Sequence, residues 1–581
     1  MSMTVLGTAT GESIALVALA AFLPILLSFA SALRQNVTPG SARHFFLYDG
    51  GLDTGKFVTG TVGYSMQVAS IYLFLLWFNS YGLWAFTVPL AWFAGYALLA
   101  LLVRLKLLDR FLTFQSDSVV TIHGYVAETM GGNKWIAPLL AISSICGLGG
   151  TMLGEIDYAL TYFVFPALTV TPPTGFLAVT VFVSVLMVAG SYIMWGGYVA
   201  AIDTDIFQVK IAYIFVGVLV AAMSILASKA GNWLLVGAVG VVVTMFCMYA
   251  ANRRAHLYRI DKTYETSRFD ILIFYALAIM TIFGVTVGFF SPIEHQAGVP
   301  IGTAVFSPTS TLPLGFGVIG FLALMITNAL WQLIDISSLQ RLQSLKFDPT
   351  DPVEHKKLSS GLLAAGVEGT GSWCLVLVLA ILAKAGGLDS TNFVAALGSM
   401  WFLVPVFVYV VVAFMLSTLD TLIAAAGYTF HYDGTRHLLP ASARNDAIEL
   451  RWARFGTMGC LVMVSLLYYV IRTHYSDDSA KLSTIVYAIY AIQASILGPV
   501  LVALFAPANR CNVWFSFAGV VGGWIASFYT TIGLSEPLFG MPVDSWYVFP
   551  PFASLAVSAA ISLIPAILSL FGRCFLRRPS R

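Results

Sequence analysis

Apolar runs about twenty residues long recur from one end of the chain to the other, separated by short polar stretches. About 20 apolar residues wound as an α-helix cross the hydrocarbon core of a bilayer. Fifteen such spans are predicted, at 13–33, 57–79, 82–103, 136–165, 176–195, 204–227, 232–251, 269–290, 313–338, 360–384, 399–430, 453–471, 483–506, 512–533 and 549–572. No stretch between them is long or polar enough for a separate soluble domain. The chain therefore reads as one all-α polytopic membrane domain over residues 1–581. Residues 1–11 carry no Lys or Arg, so the first apolar run, Ile14–Leu33, reads as a span and not as a secretory signal.

Composition agrees with the pattern. The 581 residues are 59% hydrophobic and 10% charged, and the mean hydropathy is +0.86. A soluble protein of this size has nowhere to hide so much apolar surface, so lipid is its solvent. The net charge of +2 says little, but its distribution does more. With the N-terminus outside, the inner loops hold Arg104, Lys106 and Arg110, then Arg253, Arg254, Arg259, Lys262 and Arg268, and finally the tail from Arg573 to Arg581. The outer loops hold little beyond Lys229, Lys384, Arg472 and Lys481. That asymmetry predicts an odd number of spans and a cytoplasmic C-terminus, in a plasma (inner) membrane.

Several function classes drop out. Cys146, Cys247, Cys374, Cys460, Cys511 and Cys574 show no metal-type spacing and read as free thiols. The segment Gly50–Lys56 (GGLDTGK) nearly spells a phosphate-binding loop, but Phe57 follows the lysine and no strand precedes it. Transport would then draw on an ion gradient or run passively. No Ser/His/Asp grouping lies on one helix face, and HExxH and CxxC are missing, so an enzyme is not expected. The expected partners are the lipid bilayer and a small-molecule solute, with no nucleic acid.

Ionisable residues inside spans are costly and mark function by default. Glu155, Asp157, Asp335, Glu368 and Asp420 lie within spans, and Asp203 and Asp205 lie at the inner end of the 204–227 helix. No Lys or Arg of apolar depth balances them, which predicts a bound cation, proton or amine among them. Ser417, Thr418, Asp420 and Thr421 share about one turn of an apolar helix. Their oxygens are hard ligands suited to a small alkali cation.

Three segments carry a resemblance. LSTLDT (Leu416–Thr421) resembles the S-[ST]-x-D-[ST] signature on the eighth core helix of the solute:sodium symporter family. Tyr192–Gln208 (YIMWGGYVAAIDTDIFQ) resembles that family's Y-x-x-x-GG-x-x-A-x-x-x-TD-x-x-Q run. Asn328–Arg341 (NALWQLIDISSLQR) is similar to the discontinuous sixth core helix of its sugar transporters. A fourth match, Thr121–Gly131 (TIHGYVAETMG), has Gly124 where the family has an acid.

The resemblance implies a LeuT-type fold of two five-helix repeats inverted in the membrane plane, at about 57–227 and 313–506. Residues 228–312 would add two further spans, and 507–581 would be peripheral. It also implies a secondary symporter working by alternating access, coupled to Na+ or H+, for a small polar solute; the unbalanced acids favour one that contains nitrogen. The alternative is a transporter-like sensor signalling through a separate partner, since the sequence stops at Arg581 soon after its last span.

By the same resemblance, the sodium candidates are Ser417, Thr418, Phe414 (through backbone carbonyls of its turn), Asp420, Thr421 and Asp205. The solute candidates are Gln67, Glu155, Asp157, Asn328, Trp331, Gln332, Asp335 and Glu368. Glu368 falls where the sugar-transporting members carry Lys, which argues against a sugar. The first core helix should unwind at mid-membrane. It has no Gly or Pro after Gly63, so Tyr64–Tyr72 is the window in which the break is expected, with Ser65, Gln67 and Ser70 as its polar residues.

Overall fold

The computed structural model describes residues 11–34, 39–113, 121–133, 135–260, 268–292, 317–345, 347–388, 393–397, 402–438, 444–474, 479–505, 513–532 and 549–576. Its long helices are α1 (Gly11–Arg34), α2 (Thr54–Ser65), α3 (Val68–Tyr81), α4 (Thr87–Arg104), α5 (Ile136–Tyr158), α6 (Gly175–Lys229), α7 (Trp233–Ile260) and α8 (Arg268–Phe290). They continue as α9 (Gly317–Trp331), α10 (Ile336–Ser344), α11 (Pro352–Ala385), α12 (Leu403–Phe430), α13 (Asp446–His474), α14 (Ser479–Ile492), α15 (Val513–Ile532) and α16 (Phe549–Leu576).

Thirteen helices among the described residues are long and apolar enough to cross a membrane, and the bent pair α2–α3 adds one more. The 55-residue α6 is too long for one crossing, and it is broken at Gly197. Splitting it there restores the fifteen spans expected from the apolar runs. Large apolar side chains face outward, among them Phe290, Phe176 and Trp514 at 80%, 77% and 76% exposure. Water would penalise them and lipid would not.

The break in α6 is a glycine problem. Gly197 has φ +65°, and a Cβ there would lie 2.5 Å from the carbonyl oxygen of Phe45. Only glycine combines that backbone with that approach. Helix resumes at once, so the loop expected at 196–203 is absent and Asp203 and Asp205 lie inside the second half of α6.

Two further helices are broken in the interior. Between α2 and α3 the chain bends by 54°, with Met66 and Gln67 outside helical geometry. Between α9 and α10 the turn runs from Gln332 to Asp335. Packing around the breaks is reciprocal. The pair α2–α3 lies on α11, α9 lies on α4, and α4 lies on α11. Helix α5 packs on α12 and α14, and α6 packs on α12. Helices α7 and α8 pack on each other and on α6, and α7 also packs on α11, while α15 and α16 cover α14.

Candidate solute and cation sites

A helix broken in the membrane leaves peptide groups unpaired, and each costs several kcal/mol unless another group satisfies it. At the first break the acceptor comes from α5. The Glu155 carboxylate takes the N–H groups of Val68 at 2.7 Å and Ala69 at 3.1 Å, capping the N-terminus of α3. On the other side of the break, the indole of Trp373 donates to the carbonyl of Ser65. At the second break Asp335 caps α10, accepting from Ser337 N–H at 3.2 Å and from the Ser338 hydroxyl at 2.6 Å. The Gln493 amide donates to the carbonyl of Ile334 at 2.9 Å. The Tyr64 hydroxyl donates to Asp335 at 3.2 Å and so ties the two breaks together.

A cavity of about 130 Å³ opens beside them, with residues of α2–α5, α9, α11 and α14 in its wall. Gln67, Asn328 and Trp331 line it, as the sequence suggests. Gln332 does not; it is buried and accepts from the Ser338 hydroxyl at 3.2 Å. None of the four acids proposed for the solute lines it either. Among the described residues, no Asp, Glu, Lys, Arg or His lines this cavity.

The expectation of unbalanced acids is corrected by the same geometry. Glu368 holds Arg254 in a two-point ion pair, both contacts at 2.6 Å. Arg254 also donates to the Thr59 hydroxyl at 2.8 Å. Asp157 pairs with Arg472 at 2.7 Å and accepts from the Tyr468 hydroxyl at 3.1 Å. Both arginines are assigned to loops by hydropathy, but α7 and α13 continue past the apolar stretches and carry them to buried positions. Glu155 and Asp335 are consumed as helix caps.

A third buried arginine enters the proposed ion cluster. Asp205 accepts from the Ser417 hydroxyl at 2.6 Å and from Thr421 at 3.2 Å. Arg341 of α10 donates to Thr421 at 2.6 Å and to Asp205 at 3.4 Å, and its guanidinium lies 5.1 Å from the Tyr64 ring centre. Asp420 accepts from the Tyr192 and Thr204 hydroxyls, the latter at 2.9 Å. The sequence thus points correctly to the meeting of the Ser417–Thr421 turn with Asp205, but not to the arginine between them.

One hydroxyl of the turn stands apart. Thr418 Oγ1 is buried and has no hydrogen-bond partner among the described residues. Helix α2 comes close here, because a Cβ on Gly63 would lie 2.9 Å from Ser417 Oγ. An orphaned buried oxygen beside the C-terminal end of a half-helix suits a small cation, since that end is the negative pole of its dipole.

Ser144, His123 and Asp433, which share no helix face in the sequence, come together in space. Asp433 lies 2.7 Å from one ring nitrogen of His123, and the Ser144 hydroxyl lies 2.9 Å from the other. The order is that of an acyl-transfer triad. However, Ser144 and His123 are fully enclosed, so the group ties α5 to the 122–129 helix and the 431–435 turn.

No family model matches the chain, and no curated protein matches it in sequence. Its structure is similar to that of a Na+-coupled sialic acid symporter in a substrate-bound, outward-open state, over 96% of this chain and 98% of that one. The TM-score is 0.58 and the identity 12%, a likeness of fold. The nucleobase-cation-symport-1 family transporter Mhp1, closed on bromovinylhydantoin, aligns over 90% of this chain and 95% of its own, at 12% identity and a TM-score of 0.40. The chain is an all-α integral membrane protein with the LeuT-type arrangement.

Proposed function

We propose that the protein is a cation-coupled secondary transporter that moves a small polar solute by alternating access. The observation that carries this reading is the pair of broken helices joined through Tyr64 and Asp335. A solute-sized cavity and the partnerless Thr418 hydroxyl accompany them. Discontinuous helices mark the mid-membrane solute and ion sites of transporters of this fold.

In this reading α2–α6 and α9–α14 form the two inverted repeats, near 57–227 and 313–506, and the reciprocal packing of α2–α3 on α11 and α9 on α4 supports that division. Helices α7 and α8 are the added pair. Ser417, Thr418 and carbonyls near Phe414 would hold sodium. Asp205 and Thr421 are already bridged by Arg341, and Asp420 by Tyr192 and Thr204, so these three support the ion site from behind. The solute occupies the cavity at Gln67, Asn328 and Trp331. The N-terminus lies outside and the C-terminus in the cytoplasm of a plasma (inner) membrane.

The test is thermal stabilisation of the purified protein by small metabolites, with sodium or with an equal concentration of choline. Stabilisation by at least one metabolite that requires sodium is the expected result. Equal stabilisation in both salts, with no uptake into proteoliposomes under a sodium gradient, would leave a solute sensor and not a coupled transporter.

A further inference from the structure

We propose that the cavity takes a flat, uncharged ring bearing amide-type N–H and C=O groups, such as a neutral nitrogen heterocycle or an aromatic carboxamide. The inference rests on reading this cavity as the solute site.

The walls supply flat surfaces. Nine of the twenty-two lining residues are aromatic. Trp331 stacks on Tyr490 with ring centres 4.5 Å apart and planes at 24°, and Trp92 lies 4.8 Å from Trp373 at 35°. An aromatic guest extends such pairs by offset stacking.

The polar groups left over are neutral and few. Gln67 is half-buried, and its carboxamide bonds to no described residue. Gln493 spends its amide on Ile334, and Asn328 spends one N–H on Leu324, which leaves each an oxygen to accept. Trp92 is 4% exposed, and its indole N–H is buried without a partner among the described residues. Carboxamides and an indole offer donors and acceptors without charge, which is what an amide-bearing ring requires. Ser70 and Thr151 could pair with some hydroxyls of a polyol, but the aromatic faces would leave the others unpaired.

Charge excludes the other classes. A carboxylate solute in this fold is held at the N-terminus of a half-helix, but Glu155 already fills that pole of α3 and Asp335 that of α10. An anion placed there would meet a carboxylate. A cation finds no free carboxylate either, since both oxygens of Glu155 and of Asp335 are engaged.

The experiment compares nicotinamide with nicotinate, the same ring without and with a charge, alongside uracil and glucose. Binding to the purified full chain in sodium is read by tryptophan fluorescence and thermal shift. Nicotinamide or uracil should bind at least about tenfold more tightly than nicotinate or glucose, and Gln67→Leu should weaken that binding by about tenfold. Trp92→Phe, which keeps the ring and removes the N–H, should act in the same direction if Gln67→Leu fails to fold. Tighter binding of glucose or nicotinate overturns the inference, as does failure of both neutral rings to bind. Sodium-driven uptake of glucose without binding of either ring would overturn the solute class and leave the transport reading intact. Nicotinamide binding that is indifferent to sodium, with no uptake under a sodium gradient, would keep the solute class and overturn the transport reading.

Discussion

The cavity and the Asp205–Asp420 cluster share Tyr64, which lines the first and lies under the Arg341 guanidinium of the second. Their chemistry is opposite. The cavity is walled by aromatic rings and carboxamides, with no ionised group among its described lining. The cluster is a dense set of hydroxyls, two carboxylates and a guanidinium, all buried. The difference shows that Glu155, Asp157, Asp335 and Glu368 fasten helices and stay out of the cavity wall; in the proposed reading, buried charge frames the ion site and does not grip the solute. Each acid first assigned to the solute is instead a cap or half of an ion pair.

The comparison breaks most visibly at Glu368. If the acid is a fastener, Glu368→Gln removes the two-point ion pair that holds the buried Arg254, and about 3–5 kcal/mol of stability should be lost. Thermal unfolding in detergent would show it, and Glu368→Met combined with Arg254→Met should recover much of the loss. A Glu368→Gln protein of native stability that no longer binds solute would return this acid to the cavity. Next in size is Gly197→Ala, which forces a side chain into a positive φ and against Phe45 O. A loss of about 1–3 kcal/mol is expected, read as a lower unfolding temperature. An unchanged temperature would mean that the break in α6 does not depend on glycine.

The ion side of the comparison is sharpened by Thr418→Ala, which removes one buried oxygen that has no hydrogen-bond partner among the described residues. The sodium concentration for half-maximal uptake should rise about tenfold, with the solute affinity at saturating sodium unchanged. Equal effects on both would merge the two regions into one site. The smallest effect is expected on the solute side. Trp92→Phe should weaken the solute about threefold to tenfold, the net worth of one hydrogen bond, and leave the sodium dependence alone. Isothermal titration at two sodium concentrations separates the two quantities.

Much of the fold is legible from apolar run length alone. The thirteen long apolar helices and the bent α2–α3 pair among the described residues lie where those runs lie, two of the runs being joined in α6. The meeting of Ser417 with Asp205 is legible too, because both fall in recognisable motifs. The break at Met66–Gln67 falls inside the expected window, but nothing local marks it. Its cause is Glu155, an acceptor 87 residues away that caps the new helix start. The partners of Glu368 and Asp157 were hidden for a different reason. Hydropathy ends a span where charge begins, whereas α7 and α13 continue helical through Arg254 and Arg472. Long-range pairing also hides Ser144, His123 and Asp433, which lie up to 310 residues apart and meet only in the folded bundle.

The central claim is that a cation held at Thr418 and a neutral solute held in the aromatic cavity bind at separate but coupled places. Nicotinamide-induced tryptophan quenching, followed as sodium replaces choline, tests it most directly in the native protein and in Thr418→Ala. The account predicts quenching that depends on sodium, reaches the same maximum in both proteins, and needs about tenfold more sodium in the variant. Nicotinamide quenching that is the same without sodium, or unmoved by Thr418→Ala, would contradict it.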